Sequence, residues 1–469
     1  MLKLDKHHRK VNEKNGKKKH GEPVHNDRSI LENPKQNKNV TVNLNVKEGL
    51  VTKFWRTRIT KLFKSLIPSH IDKNKQIWLD SVEKLDSFIQ NLKNPGFDLS
   101  NIEYVCIPFS ISDIYDVIDF LKDLRNKLPD HVKLIYSNYN WKWALLFKLS
   151  ALFGFSRKGE WGNFYRDADL DCFLDMSGWE NVKKLNRFLL PFEIWGGILD
   201  SVIKLPLLNK FSLNTVFIAR KKGEFVNNEH TVTILVPCKN EEGNIEAIVT
   251  RTPSFGKSVE ILFVNDKSTD QTEAKILEFQ SKFSTKNIKI IQGQGLGKGV
   301  AIRDAMSVAS GDICMILDAD LSVIPEDLPQ FYEAINLRRA DFLHGTRLVY
   351  PQEEEAMKLA NTLGNIFFSM AFSYILDQRV TDTLCGTKVF WRRDWLIFEE
   401  TRGLLNDIDV WGDYNLIFGA ARFGLKIGEL PVRYFQRLKG LSKMTRRLKN
   451  GLIMLRVAWH ALLKIKFGE

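Results

Sequence analysis

Two aspartates one residue apart, Asp318 and Asp320, close the apolar run Ile313-Cys314-Met315-Ile316-Leu317 in GDICMILDADLS (311–322). Such a run reads as a buried strand, and along a strand residues i and i+2 point the same way. The two carboxylates can therefore converge where the strand opens into a loop. Close carboxylates repel one another unless a cation lies between or beside them. A Mg²⁺ or Mn²⁺ bridging to a diphosphate meets that need, because it stabilises the charge that builds on a leaving diphosphate. Taken alone, the pair reads better as a solvated Asp-Ala-Asp turn, since D-x-D by itself is a weak signal.

The surrounding elements are those that could carry such a pair. TVTILVP (231–237), VEILFVND (259–266), IKIIQG (288–293) and DICMILDAD (312–320) are strand-like runs, and helical stretches of ten to twenty residues separate them. Strands alternating with helices predict an α/β fold with a mostly parallel sheet. Each run ends in polar residues, and ligands of open α/β sheets bind at the carboxyl ends of the strands.

Four segments follow in order: PCKNEEGNI (237–245), VNDKSTDQT (264–272), GLGKGVAIRDA (295–305) and DADLSVIPEDL (318–328). Together they resemble the GT-A domain of family 2 glycosyltransferases, within the dolichyl-phosphate mannose synthase and polyprenyl-phosphate glycosyltransferase branch. The resemblance covers residues 229–445. It implies a Rossmann-like nucleotide-diphospho-sugar transferase domain and, on the donor side, roles for Pro237, Asn240, Glu241, Asp266, Lys298 and Asp318. Asp318 and Asp320 match the metal-binding acids, with Mg²⁺ or Mn²⁺ as cofactor. Asp266 matches an acid that contacts base or ribose, although this chain has Asn265-Asp266 where the family usually has two aspartates. Asp270 reads as part of a helix start (Ser268-Thr269-Asp270). Gly297, Lys298 and Gly299 form a tight turn before a helix, suited to close approach by an anion. Arg303 either braces this region or faces the diphosphate.

Downstream, HGTRL (344–348) matches the family's G-S-R segment and makes Arg347 a candidate for the acceptor phosphate. TDTLCGTKVFWRRD (381–394) matches D-T-x-G-F-R, with Lys388 in place of the usual Arg. Lys388 is thereby a second candidate for the acceptor phosphate, with a point charge in place of a bidentate fork. Asp413 opens a helix in VWGDYNLIFGAARFG (410–424) and is either a general base or a helix cap. Arg437, Ser442 and Lys443 match the segment that closes over the donor diphosphate; with Asp320 and Asp413, Arg437 and Lys443 make up the expected catalytic set.

The first half reads differently. IEYVCI (102–107), the helix pattern DIYDVIDFLKDLRNKL and VKLIYS (132–137) suggest a strand–helix–strand unit, followed by SGWENVKKLNRFLLP and NTVFIARK (214–221). This order resembles the C-terminal half of a class I S-adenosylmethionine-dependent methyltransferase, over residues 100–222. Before residue 100 the glycines are Gly16, Gly21, Gly49 and Gly96, and none forms the G-x-G turn that lets backbone approach a cofactor. Residues 51–225 are therefore expected to be a partial, inactive methyltransferase-like α/β region.

Charge gathers at the ends. Residues 1–48 hold ten Lys and two Arg against six acids, and residues 433–469 hold ten basic residues against one Glu, within a net charge of +13. The Lys/Asn-rich residues 1–50 read as a disordered basic tail. No aromatic platform or recognised module accompanies it, so nucleic acid is not an expected partner. The five cysteines show no C-x-x-C spacing, which disfavours a disulfide framework or zinc site. The N-terminus lacks the apolar core of a secretory signal, and no run of 18 uncharged apolar residues occurs. Residues 361–377 form a mostly uncharged helix pattern, either a core helix or one lying at a membrane interface. Residues 446–469 read as an amphipathic helix with a stripe of Lys449, Arg456, His460 and Lys464, suited to lipid or to packing on the catalytic domain.

The expected activity is metal-dependent transfer of a sugar, with inversion, from a nucleotide-sugar donor to a polyprenyl phosphate. The protein is expected to sit peripherally on the cytoplasmic face of a membrane. A polysaccharide or lipid-linked glycan acceptor is the alternative within the class. A non-enzymatic scaffold and an active methyltransferase are the alternatives outside it.

Overall fold

The computed structural model describes residues 50–146, 149, 164–189, 198–205, 208–223, 229–347, 359–404, 412–435 and 447–468. The basic tail, and Arg437, Ser442 and Lys443 of the expected site, lie outside the described residues. Gly49–Glu469 forms one compact unit.

The first half contains α1 (Leu50–Ser65), β1 (Gln76–Trp78), α2 (Val82–Leu92), β2 (Tyr104–Ser110), α3 (Val117–Lys127), β3 (Lys133–Tyr139), α4 (Asp167–Met176), β4 (Trp179–Arg187), α5 (Ile198–Val202) and β5 (Asn214–Lys221). The sheet order is β1-β2-β3-β5-β4. β1, β2 and β3 run parallel, while β5 is antiparallel to both β3 and β4. The expected strand–helix–strand unit is present as β2-α3-β3. IWLDSVEKLDSFIQNL (77–92), whose apolar spacing predicts an amphipathic helix, instead begins within the short strand β1 and turns helical at Val82. The three residues of β1 pair with Tyr104, Val105 and Cys106. A partner 28 residues away outweighs a local pattern too short to fix its own period.

The second half contains β6 (Thr231–Cys238), α6 (Ile245–Arg251), β7 (Ser258–Asn265), α7 (Thr272–Lys282), β8 (Asn287–Gln292), α8 (Lys298–Met306), β9 (Ile313–Ile316), α9 (Leu328–Asn336), β10 (Phe342–Thr346), α10 (Leu359–Leu376), β11 (Lys388–Trp391), α11 (Trp395–Leu404), α12 (Asp413–Arg422), β12 (Ile427–Pro431) and α13 (Arg447–Ala461). The sheet order is β12-β10-β11-β9-β6-β7-β8. β11 alone in this sheet runs against its neighbours, β9 and β10. This is the mostly parallel sheet that a GT-A domain implies.

Both faces of this sheet are covered, so its strands read as continuous apolar runs instead of alternating ones. Val232, Ile234 and Val236 of β6 enter one core with Ile261 and Phe263, whereas Leu235 enters the other with Leu262 and Val264. The chain steps outward from β6 to β8 and then returns to β9 on the other side of β6. The carboxyl ends of β6 and β9 therefore flank a topological switch point, where open α/β sheets bind ligands.

The halves are joined by buried charge. Asp341, just before β10, accepts from Lys133 Nζ of β3 (2.5 Å), Arg220 Nη1 of β5 (2.7 Å) and the Lys426 amide (3.0 Å). Arg220 Nε also donates to Glu180 (2.8 Å), which accepts from Lys426 Nζ (2.7 Å).

Two helices whose packing the sequence leaves open each bury one face in the core and expose the other. α10 buries Phe368, Phe372, Ile375 and Leu376 but exposes Ile366, Phe367 and Met370. α13 buries Met454, Val457, Ala458 and Ala461 in the same core, and on its outer face Leu452, Leu455 and Trp459 accompany Arg456. Among the described residues no helix is long and apolar enough to cross a membrane.

Candidate active site

A cleft of about 330 Å³ opens at the switch point. Its lining includes Pro237, Glu241, Asp266, Lys298, Asp318, Asp320 and Asp413, seven of the residues singled out from sequence. They arrive from the carboxyl ends of β6, β7 and β9 and the starts of α8 and α12, and local bonding explains how.

Past β6, the turn is bound to the loop past β7. Asn240 sits at φ 56°, a left-handed conformation that Asn tolerates better than most residues. Its Oδ1 accepts from the Thr269 amide (2.8 Å), and its own amide donates to Ser268 Oγ (3.0 Å). The Glu241 amide donates to Thr272 Oγ1 (2.9 Å), and its carboxylate accepts from Asn244 Nδ2 (2.8 Å). Asp270 accepts from the Thr272 amide at the start of α7 (3.0 Å), which is the helix-start role expected of it.

Asp266 is buried, and both its oxygens hold the next loop. Oδ1 accepts from the Gly295 amide (2.7 Å) and Oδ2 from the Gly297 amide (3.1 Å). Gly295 at φ 81° and Gly297 at φ 100° supply the conformations this wrap needs. The carboxylate expected to read the base or ribose is thus also the post around which the 293–297 loop folds. That loop delivers Lys298 to the first turn of α8.

Lys298 is the hub of the charges. Its Nζ lies 2.8 Å from Asp318 Oδ1 and 3.3 Å from Asp413 Oδ1. Burial alone would lower the ammonium pKa, but Asp318 and Asp413 outweigh it and raise the value. Asp413 is the first residue of α12, and the cap position is Gly412. The capping alternative therefore does not describe it; its carboxylate faces Lys298 and, at 3.9 Å, Lys388 Nζ. The positive end of α12 adds to the stabilisation of that charge. Asp320 Oδ1 accepts from the Ser322 amide (3.0 Å), which fixes the loop past β9.

Lys388 reaches this cluster because β11 is antiparallel: its first residue pairs with Ile316, at the carboxyl end of β9. Its ammonium is fully buried and donates to the Cys385 carbonyl, and Lys388 is not among the cleft-lining residues, so it is not placed to meet the acceptor phosphate expected of it. Arg347 is placed elsewhere. Its guanidinium grips Asp382 with two bonds, Nε to Oδ2 (2.6 Å) and Nη2 to Oδ1 (2.8 Å), and it is not among the cleft-lining residues. Burial pushes Asp382 up, but Arg347 overcomes this and holds it at about 2. Arg303 does not line the cleft either.

Two glycine positions carry the geometry and were not singled out from sequence. A Cβ at Gly386 would fall inside the Asp318 carboxylate, so Asp318 packs directly on that backbone. A Cβ at Gly412 (φ 77°) would collide with Gly299 Cα, so α12 meets α8 backbone to backbone. The signal for the first was its place two residues before Lys388 in a segment already matched.

Among the described residues the lining holds five carboxylates, Glu241, Asp266, Asp318, Asp320 and Asp413, against two ammonium groups, Lys239 and Lys298. Such a cleft repels a nucleotide diphosphate unless a cation accompanies it. Among the described residues no group of three or more His, Cys, Asp or Glu could hold a metal by itself. Asp318 and Asp320 do fit the pattern in which Mg²⁺ is held by one or two carboxylates, with substrate phosphates completing the coordination.

Residues 233–397 match the family described as glycosyl transferase family 2. The chain is 37% identical over 120 residues to a dolichol-phosphate mannosyltransferase of Pyrococcus furiosus, covering 25% of this chain and 33% of that protein. It is 26% identical over 253 residues to a dolichyl-phosphate beta-glucosyltransferase of Trichomonas vaginalis, covering 49% and 75%. It is 31% identical over 103 residues to an undecaprenyl-phosphate 4-deoxy-4-formamido-L-arabinose transferase of Salmonella paratyphi B, covering 21% and 32%. The matched part thus spans about a third of the length of the first and third of these relatives.

Proposed function

We propose that this chain, which carries a family 2 glycosyltransferase domain over residues 233–397, moves a sugar from a nucleotide-diphosphate donor to a polyprenyl phosphate at a membrane surface. The observation that carries this reading is the convergence of Asp318, Asp320, Lys298 and Asp413 in the cleft at the switch point. The named acceptors of the relatives support the lipid phosphate as the receiving group.

In this reading Pro237, Asn240, Glu241 and Asp266 shape the nucleotide side of the cleft, and Lys298 at the start of α8 faces the diphosphate. Asp318 and Asp320 would hold a Mg²⁺ or Mn²⁺, which when bound offsets the charge on the leaving diphosphate. Asp413 holds Lys298 in place. An oxygen of the acceptor phosphate bonds to the anomeric carbon as the bond to the diphosphate breaks, and a nucleoside diphosphate leaves. A phosphate monoester is already anionic near neutral pH, so no general base is required. Single displacement inverts the anomeric centre. Lys388 acts through Asp413, whereas Arg347 acts through Asp382 by holding the segment that carries Gly386. Arg437, Ser442 and Lys443 remain proposed donor-side groups on the strength of the sequence resemblance.

The first sheet is proposed to be a methyltransferase-like unit without catalysis. β1 is followed by Leu79-Asp80-Ser81 and β2 by Ile111-Ser112-Asp113, neither offering the glycine a cofactor turn needs. Binding of labelled S-adenosylmethionine would overturn that assignment.

The test supplies purified protein with labelled nucleotide sugars, a polyprenyl phosphate and Mg²⁺ or Mn²⁺, with Asp320→Ala as control. Label is expected in the organic phase with the wild type and not with the variant, and NMR of the product reads its anomeric configuration. Donor binding with transfer only to a glycan would overturn the lipid-phosphate reading.

A further inference from the structure

The exposed apolar surface of this protein is concentrated. Of 22 exposed large apolar side chains among the described residues, 15 fall within 141–149, 202–211, 366–370 and 452–463. Scattered exposed apolar residues need no explanation, but a gathered set marks an interaction surface.

These four segments are neighbours. Trp143 Nε1 donates to the Phe211 carbonyl (3.1 Å) and Lys142 Nζ to the Lys210 carbonyl (2.9 Å), which ties 141–149 to 202–211. Tyr374 OH of α10 donates to the Lys204 carbonyl (2.9 Å), and Lys204 Nζ to the Phe467 carbonyl just past α13 (2.9 Å). α10 and α13 share a core through Phe372 and Val457.

Their charge has one sign. No Asp or Glu occurs in 141–149, 202–211, 359–376 or 447–468. Among the described residues the exposed charged ones there are Lys142, Lys210, Arg456 and Lys464. A protein partner is normally met by a polar rim of mixed character. Apolar side chains accompanied only by Lys and Arg instead suit the boundary between acyl chains and anionic headgroups. The long basic side chains can lie along apolar surface and keep their charge among the phosphates.

We propose that the first-sheet half, outside the matched family region, supplies part of a lipid-docking face. The described residues of 141–149 and 202–211 lie with the outer faces of α10 and α13 on an anionic bilayer surface. The proposal deepens the function above and rests on it for the presence of a lipid acceptor.

The test is co-sedimentation of the full chain with vesicles of phosphatidylcholine alone or with about 30% phosphatidylglycerol, at low and high salt. Wild type should prefer the anionic vesicles and release with salt. L145E/L146E in the first half and W459E/L463E on the last helix should each weaken binding by about tenfold or more. K142E/K210E should reduce the preference for anionic vesicles. L277E, an exposed apolar residue on α7, should bind as wild type. All of these side chains are exposed, and thermal melts of each variant check the fold. Wild-type binding by L145E/L146E would overturn the proposal. So would wild type that ignores vesicles and self-associates in sedimentation velocity through the same residues. Transfer to a short, water-soluble isoprenyl phosphate separates the two readings. If wild type fails there but still binds vesicles, the glycosyltransferase reading fails and the docking face stands.

Discussion

Two clusters of charge lie in the same compact unit and are built to opposite ends. At the joint between the sheets, Asp341 and Glu180 meet Lys133, Arg220 and Lys426. The Asp341 oxygens both accept bonds; burial opposes its ionisation, but Arg220 and Lys133 outweigh it and hold its pKa well below the carboxylate range. In the cleft, among the described residues, five carboxylates face two ammonium groups, and the Asp318 side chain is 30% exposed. A cluster completed by its own partners is structural. A cluster with surplus acid, open to solvent at a switch point, is poised for a cation and an anionic ligand.

The largest separation between the two should come from Asp320→Ala. Transfer should fall about a thousandfold, as the loss of several kcal/mol of transition-state stabilisation implies. Thermal stability should hardly change, since the acid excess is partly relieved. Asp341→Asn should do the reverse. It strands two buried cations and costs about 3 kcal/mol of stability, read as a Tm lower by about 3–4 °C for a unit of this size; transfer by the folded enzyme should persist at low temperature. Gly386→Ala should fall between. Its methyl displaces Asp318 at a cost of about 1–3 kcal/mol, so transfer should drop about 10–100-fold with the metal requirement intact.

The smallest effect sits on the link between the clusters. Lys183 Nζ donates to the Ala421 carbonyl (2.9 Å), at the far end of the helix that begins with Asp413. Burial pulls its ammonium down to about 7, below the ordinary lysine value. Above that pH the unfolded chain binds the extra proton, so this group makes stability rise with pH until the unfolded lysine also titrates. In Lys183→Met that rise should shrink by about 1–2 kcal/mol between about pH 7 and 9, measured by denaturant titration across the range.

What sequence reading reached, and what it missed, follows the same division. Asp318, Asp320 and Lys298 were legible because each ends or begins an element that local periodicity reveals. The parallel strands around them were legible for the same reason: both faces are buried, so they are continuous apolar runs. The joint was not. Asp341 meets Lys133 across 208 residues, and no local pattern records such a pairing. The reversed direction of β11, set by its pairing with β9, is likewise what brings Lys388 beside Asp413. The Gly299–Gly412 approach is a long-range steric fact, and a glycine's sequence neighbours do not say which backbone will press on it. Arg347 reads as a phosphate-binding group because HGTRL resembles the family's G-S-R segment; the buried Asp382 that occupies its fork lies 35 residues on.

The central claim is that the acid surplus of the cleft makes donor binding conditional on a divalent cation. Calorimetric titration of UDP and GDP into the wild type, in Mn²⁺, in Mg²⁺ and in EDTA, tests it most directly. The account predicts binding of one nucleotide with metal, its loss in EDTA, and weakening by about tenfold or more in Asp318→Asn. Equal affinity in EDTA and in metal would contradict it.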